Sequence, residues 1–322
     1  MYNLRHIVIW GLMKNFTVLW LIMVISFLLN AAEPISPIPQ SLTHDTPKAA
    51  IGKRLFFDPI LSHDKTIACV SCHSFEHGGS DPRPVSIGVK GNEGCMQAPT
   101  VLNAVFNFTQ FWNGRAKNLQ EQAAGPIHNP LEMGMTTEEV EQRINADERY
   151  RKAFTAITKR STVLFTDISE AIAEYEKTLI TPNGKFDRFL RKETMLEPEQ
   201  MEGYELFKRL GCASCHNGVN VGGNSFQKFG VVAEIERLRK MDDRFVLTGR
   251  ESDKNVFKVP TLRNIALTAP YFHDASASTL KEAITVMSHH NLGITLSADE
   301  VSHIVAFLHT LTGELPLSAI TP

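Results

Sequence analysis

One pentapeptide pattern occurs twice in this chain and constrains it more than any other feature: Cys69-Val70-Ser71-Cys72-His73 and Cys212-Ala213-Ser214-Cys215-His216. Both read C-x-x-C-H, the attachment pattern for c-type haem. Two thiols one turn apart reach the two vinyl groups of one porphyrin, and the next residue places an imidazole under the iron. With 5 Cys and 12 His in 322 residues, roughly 0.003 such matches are expected by chance, so two carry a small false-positive risk. A thioredoxin-like dithiol does not need the His, and a four-Cys zinc site leaves both His residues unexplained. The cofactor expectation is therefore two covalently bound haem c groups.

The two motifs sit in a loose internal repeat. Gly52-x-x-Leu55-Phe56 precedes the first and Gly203-x-x-Leu206-Phe207 the second; Pro99-Thr100-x-x-Asn103 and Pro260-Thr261-x-x-Asn264 follow them. Leu119-Gln120-Glu121 then matches Leu280-Lys281-Glu282, and the stretch 172–179 (IAEYEKTL) matches 304–311 (IVAFLHTL). Ser297 and Glu300 read as a capping box, after which Val301, Ile304, Val305, Leu308 and Leu311 form one apolar stripe ending at Gly313. Thr136 to Glu139 and Asp167 to Glu170 open two further helices in the same manner. Long loops at residues 77–99 and 217–230 show no strand alternation. The expected fold is mainly α: two cytochrome c-like haem domains with long loops, at residues 40–184 and 185–315, the second opening with a connecting helix over residues 185–196.

Residues 1–32 differ from the rest: Arg5 and Lys14 with no acid, a 14-residue apolar run from Phe16 to Leu29, then Asn30-Ala31-Ala32. This reads as a secretory signal, with an uncleaved anchor as the alternative, because about 20 apolar residues are needed to span a bilayer. The expected location is the periplasm. A formal net charge of −2 suggests neither nucleic acid nor an anionic membrane as partner.

A six-coordinate haem transfers electrons, whereas an open position binds a small molecule. Met287, seven residues after Leu280, is a candidate sixth ligand for the second haem, or else a core residue. The first half has no Met at the matching offset; thirteen residues after Leu119 it has Glu132, a carboxylate suited to moving protons over an open iron or simply a surface or capping side chain.

With these features the sequence resembles the bacterial di-haem cytochrome c peroxidases over residues 47–315. The likeness rests on both haem motifs and on Gly78-Gly79-Ser80-Asp81, Ser86-Ile87-Gly88, Phe111-Trp112-Asn113-Gly114-Arg115, Gln122-Ala123-Ala124-Gly125-Pro126, Leu131-Glu132-Met133, Val259-Pro260-Thr261-Leu262-Arg263-Asn264 and Tyr271-Phe272-His273-Asp274. The resemblance implies a peroxidatic, low-potential haem on Cys69, Cys72 and His73, with Glu132 and Gln122 on its distal side. It implies a high-potential haem on Cys212, Cys215 and His216 with Met287 as sixth ligand, Trp112 between the haems and His273 at their interface. It also implies an interdomain calcium near the carbonyls of Thr268 and Pro270, where Gln97 replaces the family's Asn and offers the same amide oxygen one methylene further out.

The largest departure is Val89, where many relatives carry a His that occupies the peroxidatic iron in the oxidised enzyme. Valine cannot bind iron, so the first site is expected to be open even when oxidised. The segment from Gly88 to Gly94, with three glycines, is expected to be mobile, and Cys95 lies in the same loop. The resemblance implies reduction of hydrogen peroxide with electrons from a small c-type cytochrome or cupredoxin-like donor, in a homodimer. The rivals are a di-haem oxidase of protein residues, whose representatives carry Tyr at the place of Met287, and a non-enzymatic two-haem electron carrier.

Overall fold

The computed structural model describes residues 33–235 and 242–320, so the apolar segment 16–29 lies outside the described residues. Each half is built on one crossed pair of helices. Helix α1 (Thr46–Phe57) starts where the Asp45 side chain accepts from the Lys48 N–H at 3.0 Å, and it buries Ile51, Leu55 and Phe56. Further helices α2 (Leu119–His128), α3 (Thr137–Ala146) and α4 (Glu148–Thr158) lead to α5 (Phe165–Glu176), which lies across α1. A methyl group on Gly52 would sit 1.8 Å from the Ala171 carbonyl oxygen, so only glycine allows this crossing.

The second half repeats the device. After α6 (Lys185–Leu190), helix α7 (Pro198–Arg209) crosses α10 (Ala298–His309), with α8 (Arg244–Thr248) and α9 (Leu280–Met287) between them in sequence and α11 (Leu317–Ile320) last. Gly203 faces the His303 carbonyl oxygen, which a methyl group would approach to 1.9 Å. Leu55, Phe56, Ile168 and Ile172 are buried in the first half, and Leu206, Phe207, Ile304 and Phe307 in the second. Each such side chain contributes roughly 1.5–3 kcal/mol of hydrophobic stabilisation. Both halves lie within one compact unit, Ile35–Pro322.

The repeat extends to backbone detail in the connecting loops. A shift of 161 residues carries the isolated bridge Gln110–Ala116 onto Tyr271–Ala277, and the left-handed residues Asn103 and Phe111 (φ 61° and 65°) onto Asn264 and Phe272 (60° and 72°). The halves share an anchor as well: Thr181 Oγ1 accepts from Asn103 Nδ2 at 2.8 Å and from Asn264 Nδ2 at 2.9 Å.

Three local expectations differ from the structure. Helix α5 begins at Phe165, two residues before Asp167, because the Asp167 carboxylate reaches back from the third helical position to accept from the Leu164 N–H at 2.9 Å. The helix expected over residues 185–196 stops at Leu190, since Lys192 turns into the left-handed region (φ 63°). Residues 217–230 hold a short strand, β1 (Phe226–Lys228), paired antiparallel with β2 (Val256–Lys258). Three residues are too few for alternation to show. The capping boxes of α3 and α10 form as read, with Thr136/Glu139 and Ser297/Glu300.

Candidate haem centres

Each C-x-x-C-H motif folds as a single 3-10 turn, Cys69–Ser71 and Cys212–Ser214. The His73 N–H donates to the Cys69 carbonyl at 3.0 Å and the His216 N–H to the Cys212 carbonyl at 2.9 Å. Burial pushes the Cys69 and Cys212 thiols up to about 12 and about 11. Burial also holds His73 below the usual imidazole range and His216 down at about 4, so both rings are neutral, the ligating form. His73 Nδ1 lies 3.3 Å from the Gly79 carbonyl, which commits that nitrogen and leaves Nε2 for a metal.

In the second half a cavity of about 400 Å³ is lined by Cys212, Cys215, His216 and Met287, with apolar walls from Phe207, Leu280, Ile304 and Leu308. Two thiols, a neutral imidazole and a thioether around an apolar space suit a covalent haem, which Cys212, Cys215 and His216 would hold with Met287 as a further candidate ligand. Met287 closes α9, and a π-turn (Ser288–Leu292) follows it directly.

The first centre has a different distal side. The 161-residue shift that matches α2 to α9 places Pro126 at the position of Met287. The chain then turns through residues 129–134, where the half-buried Glu132 sits. Its Oε1 accepts from Asn129 Nδ2 at 2.6 Å. Burial raises its carboxyl above the usual range; Asn129 and the Arg115 guanidinium act in the opposite direction. Arg115 stacks on Phe111, 3.4 Å from the ring centroid, and Gly125 leaves room for that ring against α2. Gln122 is half-buried on α2, one turn before Pro126.

The loop holding Val89 is pinned rather than loose. Val89 is buried, and its N–H donates to the Glu132 carbonyl at 2.8 Å. A methyl group on Gly88 would lie 2.0 Å from the Leu131 carbonyl oxygen, and the loop closes on itself through Gly88 N–H to Asn92 and Gly94 N–H to Ser86. Cys95 is exposed, and its thiol is raised by partial burial and by Asp242, with Arg115 acting the other way and Glu132 adding a smaller rise.

Trp112 and His273 occupy equivalent places in the two halves and meet between them, ring centroids 6.0 Å apart. Two equivalent hydrogen bonds flank the pair: Gln97 N–H to the His273 carbonyl at 3.0 Å, and Lys258 N–H to the Trp112 carbonyl at 2.7 Å. Trp112 Nε1 donates to the Gln97 carbonyl at 2.9 Å. Gln97, Thr268 and Pro270 all line the second cavity, together with Trp112 and His273. Gln97 Nε2 donates to the Asp81 carbonyl at 3.2 Å. Among the described residues no cluster of three or more His, Cys, Asp or Glu is placed to hold a metal ion, so a cation at this seam would rest on carbonyl and amide oxygens.

Three residues of interest had no role assigned from sequence: Arg115, Lys258 and Glu176. The repeat pairs Lys258 with Gln97, and Glu176 with Leu308, so the mismatch of polar and apolar partners was the available signal.

This architecture defines a c-type cytochrome with two haem centres of unlike distal chemistry. Residues 46–195 match the family description "Di-haem cytochrome c peroxidase" and residues 200–312 match "Cytochrome c". The chain is 49% identical to the cytochrome c551 peroxidase of Nitrosomonas europaea, over 89% of this chain and 86% of that one. It is 42% identical to the cytochrome c551 peroxidase of Pseudomonas aeruginosa, again over 89% and 86%. Among solved structures, a MauG-like protein associated with microbial copper homeostasis superposes with a TM-score of 0.73 at 29% identity, covering 89% of this chain and 95% of that one. The chain belongs to the di-haem cytochrome c peroxidase family.

Proposed function

We propose that the chain reduces hydrogen peroxide to water at its first haem centre, with electrons that a small c-type cytochrome or cupredoxin-like donor delivers at the second. The observation that carries the reading is the contrast between centres: His216 and Met287 line one cavity, while the first half has Pro126 at the Met287 position and a burial-raised carboxyl at Glu132. When bound, haem supplies electron storage and the iron redox chemistry of peroxide reduction.

The chain's residues hold the groups and handle protons. His73 and His216 present neutral imidazoles, and Met287 presents a thioether. Burial makes the Glu132 carboxylate a stronger base than usual; it takes the proton from the near oxygen of peroxide and returns it to the far oxygen. Asn129 orients that carboxyl through Oε1. Arg115 places a positive charge beside it, favouring the carboxylate left after proton transfer. Gln122, half-buried on α2, is the further distal residue the family likeness implies, and Trp112 with His273 fills the seam through which the centres couple.

The finer setting belongs to the same proposal. The chain acts in the periplasm after export through residues 1–32, as a homodimer, with calcium at the seam on oxygens of Gln97, Thr268 and Pro270. The test is steady-state oxidation of reduced cytochrome c by peroxide, with haem counted by the pyridine haemochrome assay. Two haems per chain with peroxide-dependent turnover are expected. Two haems with no turnover would leave an electron carrier.

A further inference from the structure

Strand β2 ends in Lys258, and its burial is unusual for a lysine: the residue is 4% exposed and lines the second cavity beside Val259, Pro260 and His273. Its backbone is accounted for, with the N–H donating to Trp112 and the strand paired to β1 through Phe226. Its ammonium is not. Among the described residues no carboxylate lies within salt-bridge distance of it and no hydrogen bond takes it. Burial alone pushes it down to about 8, with no acid opposing. A buried, unpaired ammonium costs several kcal/mol, so a chain that keeps one there has a counter-charge from elsewhere.

The pseudo-symmetry sharpens the point. Lys258 stands where the first half has Gln97, an uncharged residue whose amide nitrogen bonds the Asp81 carbonyl. The second half carries a cation at that place, in the lining of the cavity that Cys212, Cys215 and His216 also line. Haem c brings two propionate carboxylates into whatever space it occupies. We infer that the Lys258 ammonium pairs with a propionate of the haem held by Cys212, Cys215 and His216, anchoring that haem and raising its reduction potential. The sign follows from charge: a nearby cation disfavours ferric iron more than ferrous iron. The inference rests on the reading that this cavity houses a haem.

The test compares the full-length protein with Lys258→Met, Lys258→Gln and Lys258→Arg variants. Three readings are taken: haem content, the potentials of both haems by spectroelectrochemical titration, and the propionate-bending bands in resonance Raman spectra. Expected are a lower potential for the second haem in the Met and Gln variants, an unchanged first haem, a shifted propionate band, and near-normal values for Arg. Loss of the second haem from both neutral variants, with retention in Arg, supports the same anchor. An unchanged potential and band in a neutral variant that holds two haems overturns the inference, as does loss of haem from all three variants. Wild-type protein with fewer than two haems would instead sink the underlying assignment.

Discussion

The two halves share a frame to within single hydrogen bonds, yet their distal sides do opposite things. Helix α9 ends on Met287, which lines the second-half cavity together with His216; the matching turn of α2 carries Pro126, and the chain bends away to present Glu132. On α10, Leu308 lines the second cavity, while its partner on α5, Glu176, is a buried carboxyl beside Cys69 that burial raises to about 8. Gln97 and Lys258 form a third mismatched pair. An electron-transfer centre and a reactive centre thus need only a few substitutions on one repeated scaffold, provided they fall where side chains meet the haem space.

The largest expected effect tests the distal acid. Glu132→Gln should lower peroxide turnover by about 10²–10⁴-fold, the usual contribution of general acid–base catalysis, with haem spectra nearly intact. Steady-state assays decide it; near-normal turnover would erase the functional contrast between the halves. In the wild type, turnover should fall as pH drops through the raised range of Glu132, since only the carboxylate can take the proton from the near oxygen.

Val89→His probes the same side from the loop. The imidazole should fill the first iron's sixth position and give a low-spin ferric state that needs reduction before it takes peroxide. Rapid mixing of the oxidised proteins with peroxide reads this out: the wild type should react and the variant should not. If the oxidised wild type is inert, the first centre is closed by another group.

Met287→His should make the second centre poorer at holding Fe(II), because imidazole stabilises it less than a thioether does. Redox titration should then show a lower potential for that haem alone. No change would remove Met287 as ligand and with it the clearest difference between the halves.

The smallest effect concerns stability. The folded-state value of Glu176 is about 8, above that of an unfolded carboxyl, so the native state binds the extra proton. Its contribution is present below the ordinary carboxylate range and is lost as pH rises towards about 8. Urea midpoints for the wild type should fall across that window, and Glu176→Gln should flatten the fall. Parallel curves would mean that the carboxyl is compensated in the native protein.

Much of this could be read along the chain. The capping boxes at Thr136 and Ser297, the glycines at 52 and 203 and the paired Pro-Thr loops all recur in the structure as helix starts, helix crossings and matched turns. The pinning of the Gly88 loop could not be read, because it depends on the Leu131 and Glu132 carbonyls more than forty residues away. Nor could the short strand β1, whose pairing with β2 is a long-range choice.

By itself the sequence determined the covalent chemistry, since C-x-x-C-H acts within one turn and needs no distant partner. It also determined the two-part plan, because a repeat leaves its pattern in residue order. Only the tertiary structure decided that Trp112 meets His273, that the charge of Arg115 reaches Glu132, and that Lys258 is buried with no acid beside it among the described residues. These outcomes depend on burial and on neighbours brought together from far apart, and hydrophobic packing, which has no direction of its own, selects among such neighbours only when the whole core closes.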